Sequence, residues 1–148
     1  LQLRVAATKE APNNMSCRID LCMHYVHRLH DTANARAVQA GIDPALVPDL
    51  GRPYLDLIEA MMQCREGRYS DAPVNLERAL SALNAFKHNP LIQSVVLLTK
   101  SYLCLALARS SDLNRARELW SEVDPFLKAA REEDLHGAIA SSVGLAVT

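Results

Sequence analysis

The stretch Glu66-Gly67-Arg68-Tyr69-Ser70-Asp71-Ala72-Pro73-Val74-Asn75-Leu76-Glu77-Arg78-Ala79-Leu80 is repeated in outline at Ser110-Ser111-Asp112-Leu113-Asn114-Arg115-Ala116-Arg117-Glu118-Leu119-Trp120-Ser121-Glu122-Val123. In both copies a short polar turn opens a helix, a small residue follows (Ala72, Ala116), and a large apolar residue (Leu76, Trp120) comes one helical turn later. A weaker third copy lies upstream at His30-Asp31-Thr32-Ala33-Asn34-Ala35, with Ala35 as the small anchor. Self-similarity at a spacing of some 20 to 50 residues marks arrays of stacked helices, in which each unit buries its apolar face only against its neighbours. Such an array predicts a binding scaffold.

The same residues resemble the tetratricopeptide repeat. Gly67, Tyr69, Ala72, Leu76 and Ala79 match that family's turn and second-helix positions. The later copy keeps Leu113, Ala116 and Trp120, with Ser111 in the glycine position and Val123 in that of the last alanine. The resemblance spans roughly residues 15–147 and is strong only in the middle unit. The anchors Ala35, Ala72 and Ala116 are spaced more widely than the family's usual unit, and Glu59 stands where the first helix usually carries leucine. It therefore resembles the elongated variety found in sensor regions of large bacterial transcription regulators. The resemblance implies an all-α, right-handed superhelix of antiparallel hairpins with about seven helices. Its units fall at residues 15–41, 53–88 and 90–133, after a lead-in segment 1–14 and before a lone helix 135–147.

Composition agrees with a helical chain: 148 residues, 49% apolar, only 5 Gly. Apolar residues Met15, Ile19, Cys22, Val26 and Leu29 recur three and four apart, a helical stripe. Residues 33–40 predict a second helix ending at Gly41, followed by a connector with Pro44, Pro48, Gly51 and Pro53. Further helices are predicted over 54–66, 71–86 and 90–109, the second with Pro73 in its first turn. Another runs from 113 to 133 with a kink at Pro125. The net charge of −1 argues against a general nucleic-acid or anionic-membrane binder. Cys17, Cys22, Cys64 and Cys104 show no metal-binding spacing and predict buried free thiols in a reducing, cytoplasmic setting. The longest uncharged run, Leu135 to Thr148, is shorter than the roughly 20 residues a membrane span requires. A chain starting at Leu1 without a secretory signal is expected to be an excised, soluble piece of a longer protein.

By the resemblance, fixed positions before each anchor line the concave face. They are Cys17, Asp20, His24, His27 and Arg28 in unit one, Tyr54, Leu57, Met61, Cys64 and Arg65 in unit two, and Leu98, Ser101, Leu105, Ala108 and Arg109 in unit three. The recurring arginine suggests an electropositive edge able to fork onto carboxylate or phosphate. The plainer reading is solvated arginine near a helix C-terminus, where the helix dipole favours it. Tyr54, Leu57, Met61, Leu98 and Leu105 are expected either to line a groove for an apolar peptide helix or to be core. The lysines and asparagines with which family members clamp a partner's C-terminal carboxylate are missing. Asp20, His24, His27 and Asp31 have spacings that could ligate a metal from one helix, but with no second motif a solvated polar face is the plainer account. No nucleophile and base at recognisable spacing, glycine-rich phosphate loop or cofactor motif is present, so a protein-interaction module is expected rather than an enzyme. The partner expected is another protein or peptide segment. The uncharged terminal helix, with Gly137, Ala140, Ser141 and Gly144, suggests self-association as an alternative.

Overall fold

The computed structural model describes residues 1–132, all helix and connections, with no strand among them. The expected terminal helix 135–147 lies outside the described residues. Seven α-helices occur among these: α1 (Gln2–Glu10), α2 (Met15–Met23), α3 (Thr32–Gln39), α4 (Arg52–Arg65), α5 (Ala72–Leu83), α6 (Pro90–Arg109) and α7 (Leu113–Glu132). The lead-in 1–14 is thus largely a helix of its own, packed on α2.

Each start from α2 onward has a local cause. Asn14, Asp31, Asn89 and Asp112 accept hydrogen bonds from backbone N–H groups in the first turns of α2, α3, α6 and α7. Pro53 and Pro73 sit in the first turns of α4 and α5, where a missing N–H is harmless. α7 runs on through Pro125 to Glu132 as one helix. The connector folds as two 3₁₀ turns, Pro44–Leu46 and Asp49–Gly51.

The helices pair as α2 with α3, α4 with α5 and α6 with α7, and neighbouring pairs meet through α2 with α4, α4 with α6 and α5 with α6. The backbone repeats between pairs. Five residues before Ala35, Ala72 and Ala116 stand His30, Gly67 and Ser111, and these three adopt positive φ (55°, 78° and 74°). Only glycine is at ease there, so the two other turns carry strain of about 1 kcal/mol or more each. Ser111→Gly is therefore expected to raise stability by roughly 0.5–1 kcal/mol, read as a higher denaturant midpoint with unchanged slope.

The three anchors are fully shielded, at 0%, 0% and 1% exposure. Cys22 Sγ donates to the Ala35 carbonyl and Cys104 Sγ to the Ala116 carbonyl, both at 3.2 Å, while Ala60 holds the corresponding place before Ala72. The separation is 12 residues in the second and third pairs but 13 in the first. The extra residue is absorbed by a π-helical turn, His24–Arg28, that continues α2. Because one residue rotates a helix face by about 100°, every position of unit one before this turn is displaced from the sequence alignment.

The departure at Glu59 is explained by an ion-pair network between the first two hairpins. Arg36 Nη1 donates to Glu59 Oε2 at 2.6 Å and its other nitrogens to Glu66 at 3.1 and 3.2 Å, while Gln39 adds a bond to Glu59. Burial alone would raise the Glu59 pKa, but the bonds from Arg36 and Gln39 outweigh it and the carboxyl is held below its ordinary value. α6 is, by length and composition, apolar enough to cross a membrane (mean hydropathy 1.7), and half of that window is buried. Its buried side chains, Leu98, Tyr102, Leu103 and Leu107 among them, belong to the main core.

Candidate functional site

The C-terminal ends of α4, α6 and the π turn converge on Tyr102. Its hydroxyl accepts from Arg65 Nη2 at 3.3 Å and lies 3.3 Å from His27 Nδ1, with the His27 and Tyr102 rings edge to face. Because the oxygen already accepts from arginine, its proton is free to go to His27. Burial, followed by the charges of Arg28 and Arg65 and by His30, pushes the His27 pKa down to about 4. A neutral imidazole at neutral pH fits the acceptor role. Next along the same edge, the Arg109 guanidinium lies 5.9 Å from the centroid of the Tyr69 ring, a cation–π arrangement at the turn after α4.

Arg28, Arg65 and Arg109 are exposed and have no carboxylate partner among the described residues. Among the described residues Arg4, Arg36, Arg52, Arg68, Arg78 and Arg115 each form an ion pair with Asp or Glu. Arg28, Arg65 and Arg109 form none; Arg18, turned to the Pro12 carbonyl, and Arg117 share this state. The repeat position thus carries three exposed arginines without a carboxylate partner among the described residues, two of them set against tyrosine: Arg65 on Tyr102 and Arg109 on Tyr69.

The apolar part of the expected concave face is corrected. Leu57, Met61 and Ser101 are 0% exposed and Leu98 is 8% exposed, so these side chains belong to the core and line no open groove. Cys64 is buried with them, Ser101 returns its hydroxyl to the Leu97 carbonyl, and Leu105 is half-buried against the core. Tyr54 lines a surface cleft with Ser16, Ile19, Asp20, Met23, Pro48, Leu50 and Gly51. In unit one the π turn replaces Cys17, Asp20 and His24 by Ser16, Ile19 and Met23 at the positions equivalent to Tyr54, Leu57 and Met61.

The candidate metal set does not assemble. Asp20 is bonded by Arg4 at 2.7 Å, Asp31 caps α3 through Asn34, and His27 faces Tyr102. No group of three or more His, Cys, Asp or Glu among the described residues is placed to hold a metal ion. Burial raises the thiols of Cys22 and Cys104 to about 11 and that of Cys64 to about 12, leaving them protonated and unreactive at neutral pH. Tyr102 and the cleft residues Ser16, Ile19 and Met23 are missed by sequence spacing alone. The signal that could have found them is the 13-residue against 12-residue separation of Cys22 and Cys104 from their anchors.

No protein-family model, curated protein or solved structure matches the chain.

His27 gives a pH test. Its folded pKa lies below the ordinary 6.5, so between about 6.5 and 4 the unfolded chain binds more protons, and stability falls as pH drops through this window. The melting temperature is expected to fall more steeply from pH 7 to pH 4.5 in the parent than in His27→Gln, which keeps a hydrogen-bonding group beside Tyr102 without titrating.

Proposed function

We propose that the chain is a protein-interaction scaffold, a right-handed superhelical array of elongated tetratricopeptide-like hairpins belonging to a larger regulatory protein of the cytoplasm. It binds an acidic segment of a partner protein along the edge marked by Arg28, Arg65 and Arg109. The observation that carries this reading is that those arginines have no carboxylate partner among the described residues, where six other arginines are paired. Guanidinium groups presented at one repeat spacing suit carboxylates in series, since each can bond two oxygens. The left-handed residue five positions before each anchor and the paired cysteine contacts support the repeat on which the spacing rests.

The test is an array of synthetic peptides graded from net basic to net acidic, incubated with the full chain and with an Arg28→Glu/Arg65→Glu/Arg109→Glu variant. Retention is expected to rise with peptide acidity in the parent and to fall more than about tenfold in the variant, at unchanged far-ultraviolet circular dichroism. Equal retention of acidic peptides by both proteins would remove the basis for the reading.

A further inference from the structure

Two clefts share a wall along α2. The first, of about 440 Å³, lies between α2, the second turn of the connector and the start of α4, and its apolar lining is Ile19, Met23, Pro48, Leu50 and Tyr54. The second, of about 120 Å³, is lined by Arg4, Asp20, Met23, His24, His27 and Arg28. Asp20 and Met23 belong to both, so one groove runs from an apolar end to a cationic end.

The connector builds the apolar end. Asp43 caps the turn at Pro44–Leu46, and Gly51 lets the next turn settle on α2. A Cβ at Gly51 would stand 3.0 Å from Val47 Cγ1 and 3.3 Å from Ile19 Cδ1. Leu50 is left 40% exposed at the mouth and Tyr54 half-buried behind it. Asp20, the one carboxylate in the groove, is matched by Arg4 at 2.7 Å, so the middle of the groove is near neutral and the net positive charge gathers at Arg28. At 1.5 Å per residue, Arg28 lies about 8 Å along the helix from Met23 and about 18 Å from Ser16. An extended peptide covers the mean of those distances with about four residues.

We infer that this groove takes an extended acidic segment of a partner protein, with one apolar side chain seated among Ile19, Met23, Leu50 and Tyr54 and a carboxylate about four residues away on Arg28. The inference rests on the interaction reading above and adds to it an apolar specificity pocket made by the connector.

Three fluorescein-labelled peptides in a Gly/Ser background test it by anisotropy with the full chain: a leucine with a glutamate pair about four residues on, the glutamate pair alone, and the leucine alone. The combined peptide is expected to bind at least about tenfold tighter than either part. Ser16 is exposed at the cleft, so Ser16→Leu fills the pocket from outside the core and is expected to reduce the combined peptide to the affinity of the glutamate pair, leaving the latter unchanged. Met23→Ser provides a second variant with the same expectation, circular dichroism confirming its fold, and Arg28→Glu is expected to weaken both acidic peptides. A combined peptide that fails to bind, or binds no tighter than the glutamate pair, overturns the inference. So does full affinity of the combined peptide for Ser16→Leu. In those cases response of the glutamate pair to Arg28→Glu leaves the acidic-edge reading standing, whereas indifference to that variant removes both.

Discussion

Ala72→Asp is expected to lower stability by at least about 3 kcal/mol, and to unfold the chain if its total stability is ordinary for this size. Ala72 is 0% exposed at the start of α5, inside the core shared with α4. A carboxylate there is overpacked and has no cation placed to meet it, because the arginines of this hairpin point to its surface: Arg68 to Asp71, Arg78 to Asp56. The measurement is urea unfolding followed by circular dichroism. A midpoint within a few tenths molar of the parent would show that the anchor does not hold the hairpin together.

Leu57→Ala is expected to cost about 2–5 kcal/mol, the range for a fully buried leucine whose cavity the neighbours fill only in part. Leu57 is 0% exposed and clusters with Ile58, Met61, Leu76 and residues of α2 and α6. The prediction separates two readings of the same residue. A leucine lining an open groove would be truncated at small cost in stability and large cost in binding, so a melting temperature unchanged by Leu57→Ala would restore the groove that burial excludes.

The helical hairpins were legible because turn residues and apolar period agree locally. Asn89-Pro90 and Arg109 bound a helix in the sequence, and α6 has those limits. The expected helices over 54–66 and 71–86 differ from α4 and α5 by a residue or two, with 84–86 becoming a 3₁₀ turn. The site was legible only in part. The arginine position keeps one spacing to each anchor because it falls at the end of each first helix, and in unit one it is the last residue of the π turn. Asp20 and His24 did not keep their register, since Asp20 precedes the π turn and His24 opens it, and the extra residue rotates both off the equivalent face. The burial of Leu57, Met61 and Leu98 was not legible either. Apolar side chains read the same whether they face a partner or the next hairpin, and the packing of α4 against α2 and α6 decides it. The lead-in helix α1 gave little signal because it buries no residue and is held to α2 in part by the exposed Arg4–Asp20 pair.

The most direct measurement is a titration of the isotope-labelled full chain with a glutamate-rich peptide, followed through the arginine side-chain N–H signals. The signals of Arg28, Arg65 and Arg109 are expected to move together along one saturation curve, while those of Arg52, Arg78 and Arg115, already paired with carboxylates, stay in place. Movement confined to the paired arginines, or none at saturating peptide, would contradict the account.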